Sequence, residues 1–85
     1  MAKVENVVGI YNMGAIESGR FSPVEWYTID RIVLKTRDGR RVTRYAVCVN
    51  GCWKSSEQMT LREARERVAW IRNDIAERAY YAMYI

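Results

Sequence analysis

Two dipeptides, Asp38-Gly39 and Asn50-Gly51, each stand between runs rich in β-branched and aromatic residues. Asp-Gly and Asn-Gly accept the positive φ angles that tight hairpin turns demand, so they are the strongest short-range signals for a β-hairpin. Together they dictate an antiparallel meander. Residues 26–36, 41–49 and about 52–55 read as its strands. A fourth β-rich run, 4–13, is expected to add at the meander's edge, either within the sheet or between two chains.

If both turns are two-residue loops, the register follows by counting. Ile32 then faces Tyr45, Leu34 faces Thr43, and Cys48 faces Trp53. Side chains alternate along a strand, so the pairs sort onto two faces. One face carries Ile32, Leu34, Tyr45, Val47, Val49 and Cys52 and looks like a core. The other carries Tyr27, Ile29, Arg31, Val33, Lys35, Val42, Arg44, Ala46, Cys48 and Trp53, with basic and aromatic residues interleaved.

Positive charge is concentrated in this stretch. Residues 31–54 hold seven basic side chains (Arg31, Lys35, Arg37, Arg40, Arg41, Arg44 and Lys54) and one acid, Asp38. That is a net +6, against +4 for the whole chain. Arg41 and Lys54 fall on the apolar face by parity and would sit at its rim. A basic, aromatic strip of this kind suits a phosphate backbone or an acidic protein surface. The plainer reading is a solvated face whose Lys and Arg residues discourage edge-to-edge aggregation.

Eighty-five residues make one domain with one modest core. No run of about 18 apolar residues is present to cross a membrane. Residues 1–6 lack the apolar centre of a signal peptide, so a cytoplasmic setting is expected. Cys48 and Cys52 point to opposite faces in the register above and should not pair. Two cysteines without a histidine fall short of a four-ligand zinc site. No metal and no cofactor are expected.

Residues 14–25, with two glycines, a proline and two serines, read as a long loop, alternatively one helical turn opening at Ser22-Pro23. Phe21 and Trp26 bracket it. Thr60-Leu61-Arg62-Glu63 is a capping box that starts a helix. Leu61, Ala64, Val68, Ile71, Ile75, Ala79 and Ala82 then recur at three- and four-residue steps, giving one apolar stripe over about 61–82. The charged side is mixed in sign, with favourable spacings at Glu63/Arg67 and Asp74/Arg78. Tyr80, Tyr81, Met83, Tyr84 and Ile85 put large side chains all round the axis at the chain end, and Trp70 sits beside the stripe. This tail either docks on the N-terminal strand or belongs to a partner or homodimer surface, where Tyr and Met are enriched.

The fold class is therefore α+β: a meander of three to four strands against one long C-terminal helix. The chain has no histidine, no glycine-rich phosphate loop and no evident nucleophile–base pair, so no enzymatic chemistry is expected.

Three strands followed by a helix opening Thr60-Leu61-Arg62-Glu63-Ala64 resemble, over about residues 26–80, small DNA-binding domains of the integrase arm-binding and plant ethylene-response-factor type. That resemblance implies a sheet inserted in a DNA groove with a helix behind it, with Arg31, Lys35, Arg44, Tyr27 and Trp53 facing the DNA. In size and character the chain is also similar to small phage-encoded inhibitors, including anti-CRISPR proteins. Two functions follow as expectations. One is an inhibitor or adaptor occupying a host protein or protein–nucleic acid complex through Trp70, Tyr80, Tyr81 and Tyr84. The other is a regulator binding DNA or RNA directly through the basic meander face.

Overall fold

The computed structural model describes residues 3–83. It is an α+β fold: a three-stranded antiparallel meander in the order β1 (Val7–Arg20), β2 (Trp26–Thr36), β3 (Arg41–Val49), packed with one helix, α1 (Leu61–Ala82). The expected bounds of β2, β3 and the helix coincide with those found. Tyr84 and Ile85 of the expected tail surface lie outside the described residues. No helix among the described residues is long and apolar enough to cross a membrane.

The β2–β3 turn overturns the expected faces. Asp38-Gly39 is not a two-residue loop. Thr36 N–H donates to Arg40 O (2.9 Å) and Gly39 N–H to Thr36 O (3.0 Å), leaving a three-residue loop, Arg37-Asp38-Gly39. Gly39 takes φ +86°, as a type I turn closed by a left-handed residue requires. The extra loop residue shifts the register by one, so Lys35 faces Arg41, Val33 faces Thr43 and Ile29 faces Val47. A one-residue slip turns a whole strand over. Arg44, Ala46 and Cys48 therefore leave the face of Arg31 and Lys35, while Arg41, Tyr45 and Val47 join it.

Each face carries its own small core. On one, Ile29 and Val47 pack with Met59, Ala64 and Val68, supported by Phe21, Tyr27, Tyr45, Val49, Leu61 and Ile71. This is the helix face. On the other, Ile32, Leu34 and Ala46 are fully buried beneath Trp53, Val4, Val7, Ile10 and Val42. This is the loop face. The two cores are staggered along the sheet, and the molecule is elongated, 55 × 22 × 18 Å.

Asn50-Gly51 does form the expected two-residue turn. Both residues have positive φ (52° and 78°), and Val49 pairs with Cys52. The expected strand 52–55 does not follow, because Trp53 is drawn onto the loop-face core. Instead Met59 pairs with the outer edge of β3: Tyr45 N–H donates to Met59 O (2.8 Å) and Met59 N–H to Tyr45 O (3.0 Å).

The first strand is longer than expected and starts later, at Val7. Its pairing to β2 lies within the sheet and shifts register three times, near Val8, near Met13–Gly14 and near Ile16. Such bulges bend a strand without breaking it and blunt an exposed edge. The expected 14–25 loop shrinks to residues 21–25, where Phe21 N–H donates to Glu25 O (2.9 Å) and the Ser22 hydroxyl accepts from the N–H groups of Val24 and Glu25. No helical turn forms there.

The capping box is present. Thr60 Oγ1 accepts from Glu63 N–H (3.1 Å), and Glu63 Oε1 accepts from Thr60 N–H (3.0 Å). The Thr60 backbone N–H, and then the Thr60 side chain, hold the Glu63 carboxyl below its ordinary value. Asp74 pairs with Arg78 (2.8 Å) as spaced, but Arg67 turns to Glu57 (3.9 Å) because Glu63 is committed to the cap.

Candidate functional site

The helix covers only part of its face. Thr60 caps α1 at the level of Tyr45, which faces Arg31. From there α1 runs in the direction of β3. Arg65 bonds to Glu17, opposite Ile29, and Arg72 lies over the Phe21 and Tyr27 rings at 5.9 and 6.0 Å. Among the described residues the helix leaves two exposed regions, one at each end.

At the hairpin end the helix face is uncovered. Tyr11 and Val33 are cross-strand partners, as are Val33 and Thr43, and Lys35 and Arg41. Tyr11, Met13, Val33, Lys35 and Arg41 line a shallow hollow of about 360 Å³. Arg31, Lys35 and Arg41 are exposed, and none has an ion-pair partner among the described residues. Like charges directly opposite each other destabilise a sheet. No carboxylate among the described residues forms an ion pair with Lys35 or Arg41.

The remaining members of the expected basic surface disperse. Arg37 lies exposed in the turn. Arg40 is paired with Asp38 (3.0 Å), whose carboxyl is held below its ordinary value chiefly by the Thr36 hydroxyl and then by Arg40. Lys54 borders a separate hollow beside Cys52, Glu57 and Arg67. Arg44 and Trp53 belong to the loop face, with Arg44 Nε and Trp53 Nε1 buried and without hydrogen-bond partners. Tyr27 is half-buried under Arg72, stacked on Phe21 with ring centroids 5.0 Å apart. So Arg31, Lys35 and Arg41 come together, while Arg44, Tyr27 and Trp53 do not join them. The exposed aromatic at this surface is Tyr11, which the sequence placed on no face because the register of the first strand was open.

This geometry also departs from the arrangement that the DNA-binding resemblance implies. There the helix stands behind the basic sheet. Here the clustered cations share the helix's own face.

At the far end α1 outruns the sheet. Residues 76–83 are all exposed. Trp70 is 66% exposed, Tyr81 61% and Met83 79%, and Tyr80 meets Tyr81 edge to face at 5.6 Å. The stripe residues Ala79 and Ala82 are exposed. The expected docking of the tail on the N-terminal strand is not seen among the described residues: α1 packs on β3 and β2, and its bond to β1 runs from Arg65 to Glu17, well before the tail.

A buried polar group lies on the loop face. Asp30, 8% exposed, accepts from Asn12 Nδ2 (2.7 Å) and Cys48 Sγ (3.4 Å). Burial, and then the Asp30 carboxylate beside it, push the Cys48 thiol up to about 11. Cys52 is exposed, and both cysteines are free thiols. Among the described residues no three His, Cys, Asp or Glu side chains gather as a metal site would require.

Comparison with protein-family models, curated proteins and solved structures gave no match.

Proposed function

We propose that the chain is a small, cytoplasmic, non-enzymatic binding protein, an inhibitor or adaptor that occupies a surface of a nucleic-acid-handling host protein through the overhanging end of α1. The observation that carries this reading is the exposed aromatic end of α1: Tyr81 and Met83 are exposed on the all-exposed run 76–83, and Trp70 is exposed earlier on the same helix. Exposed apolar clusters on small proteins mark interaction sites, and Trp and Tyr supply most binding hot spots. A partner that handles nucleic acid is supported by the cationic sheet end, which such a partner's anionic cargo or acidic channel would complement. The narrower reading, an anti-CRISPR-like inhibitor of phage or mobile-element type, rests on size and character.

The test is capture from a nuclease-treated host lysate, with a photocrosslinker at position 81 and another at position 24 as control. A partner crosslinked through position 81, whose affinity falls about 30-fold or more in Trp70→Ala/Tyr81→Ala, supports the reading; losses of that size accompany hot-spot truncation. Capture abolished by nuclease, or unchanged in the double variant, defeats it. So does a chain that sediments as a dimer and becomes monomeric in the double variant, because the helix end would then be occupied by a second copy.

A further inference from the structure

We propose that the bare end of the helix face, at the opposite pole from the aromatic helix end, binds single-stranded nucleic acid across Tyr11, Val33, Lys35 and Arg41, with Arg31 at its inner margin. The proposal stands on a surface separate from the docking helix and does not depend on it.

Three observations converge. First, the charge is one-sided. Arg31, Lys35 and Arg41 project from one face with no ion-pair partner among the described residues, while Glu17, the acid on that face further along β1, is already bonded to Arg65. Lys35 and Arg41 are also direct cross-strand neighbours, an arrangement that a bound phosphate would relieve. Second, the floor between the cations is apolar and partly aromatic. Tyr11 is 54% exposed and Met13 62%, and both border the same hollow as Val33, Lys35 and Arg41. A base stacks on such a floor while its flanking phosphates reach the cations. Third, the surface is an open pleated strip bounded by the start of α1. From Lys35 to Arg31 it spans four residues, about 13 Å at the usual rise of a strand.

These features discriminate among anions. Duplex nucleic acid keeps its bases stacked inside and would leave Tyr11 and Met13 idle. An acidic peptide would pair with the cations but would gain little from a flat aromatic floor. A single strand uses both.

The experiment is fluorescence anisotropy with labelled oligodeoxythymidine and oligouridine of about twelve nucleotides, a length within the range one small domain covers, alongside a duplex of equal length. Binding to the single strands is expected at low ionic strength. The log–log salt slope should be near −2, as three neutralised phosphates give at about 0.7 each. Lys35→Glu/Arg41→Glu and Tyr11→Ala should each weaken binding about tenfold or more, with Tyr11→Phe keeping most of the affinity. Lys54→Glu, a charge reversal elsewhere, should stay within about twofold, and Trp70→Ala/Tyr81→Ala should bind normally. Far-ultraviolet circular dichroism melts establish that each variant is folded. No binding at low salt overturns the proposal. Tighter binding of the duplex, or equal losses in Lys54→Glu and Lys35→Glu/Arg41→Glu, also overturns it. Indifference to Tyr11→Ala overturns the stacking geometry on which the choice of a single strand rests.

Discussion

Replacing Lys35 by glutamate should make the protein more stable. Tyr45 sends both its backbone N–H and its C=O outward to Met59, so Tyr45 and Arg31 form a non-hydrogen-bonded pair across β2 and β3. Pairs alternate along an antiparallel ladder, so Lys35 and Arg41, four residues away, are also a non-hydrogen-bonded pair. That is the closer kind, with Cα atoms about 4.5 Å apart. Flexible side chains in water hold their charges further apart, at roughly 7 Å, where Coulomb's law gives about 0.6 kcal/mol. Reversing one charge converts repulsion to attraction, a swing of about 1 kcal/mol. Screening at physiological salt reduces it to about 0.5 kcal/mol, in line with other exposed pairs. For a domain of this size that corresponds to a rise in Tm of about 2–4 °C. Lys35→Gln should give about half. Thermal melts followed by circular dichroism in about 0.15 M and about 1 M salt measure both effects, since most of the gain should vanish at the higher salt, where the Debye length is about 3 Å. A lower Tm for Lys35→Glu, or a gain that survives 1 M salt, would refute the electrostatic argument and with it the view that Lys35 is retained at a cost to the fold.

Thiol chemistry should separate the two cysteines. An aromatic disulfide reagent at pH 8 should label Cys52 at once and Cys48 only on unfolding, because Cys52 is exposed while Cys48 is 2% exposed with its thiol pushed up to about 11. One titratable thiol in the native protein and two in denaturant is the expected count. Alkaline stability should depend on the same group. Its folded value lies above the ordinary 9.0, so the contribution is intact below about pH 9 and lost as pH rises towards 11. Urea unfolding across that window should show the decline in the native protein and a flatter profile in Cys48→Ala. Thr60→Ala should cost about 1 kcal/mol in urea unfolding. A loss under about 0.3 kcal/mol would mean that the capping box contributes little to anchoring α1.

Elements decided by local chemistry were readable in advance. Thr60 and Glu63 locate the start of α1 because a capping box needs only residues three apart, and the helical stripe needs only its own period. The bounds of β2 and β3 were readable for the same reason. What failed was parity. Whether Arg44 or Arg41 joins Lys35 depends on a single residue in the Arg37-Asp38-Gly39 loop, and an Asp-Gly pair is compatible with either loop length. The length of β1 was hidden because its glycines, which signal a loop, sit in an irregular, bulged strand. Tyr11 could be seen only once that strand had a register. Trp53 illustrates a third kind of miss: its strand signal was sound, but burial over Ile32 and Leu34 outweighed further pairing beyond Cys52.

Both bare surfaces trace to one cause, the position at which the chain is handed from the sheet to the helix. Met59 is pinned to Tyr45 by two backbone hydrogen bonds, and Thr60 caps the helix at the next residue. The helix therefore cannot begin nearer the hairpin, and the strip from Arg31 to Lys35 stays uncovered. From Tyr45 only four residues of β3 remain, about 13 Å of strand. The 22 residues of α1 span about 33 Å. Even with Phe21 and Tyr27 extending the support, the last turns of the helix overrun the sheet. Starting α1 closer to Arg41 would have covered the cations and tucked Tyr80 and Tyr81 back over the sheet, with more apolar burial. The pairing of Met59 thus opens the two ends of the molecule together, and a substitution that released it, such as Met59→Pro, which removes the donor to Tyr45, should disturb both surfaces at once rather than either alone.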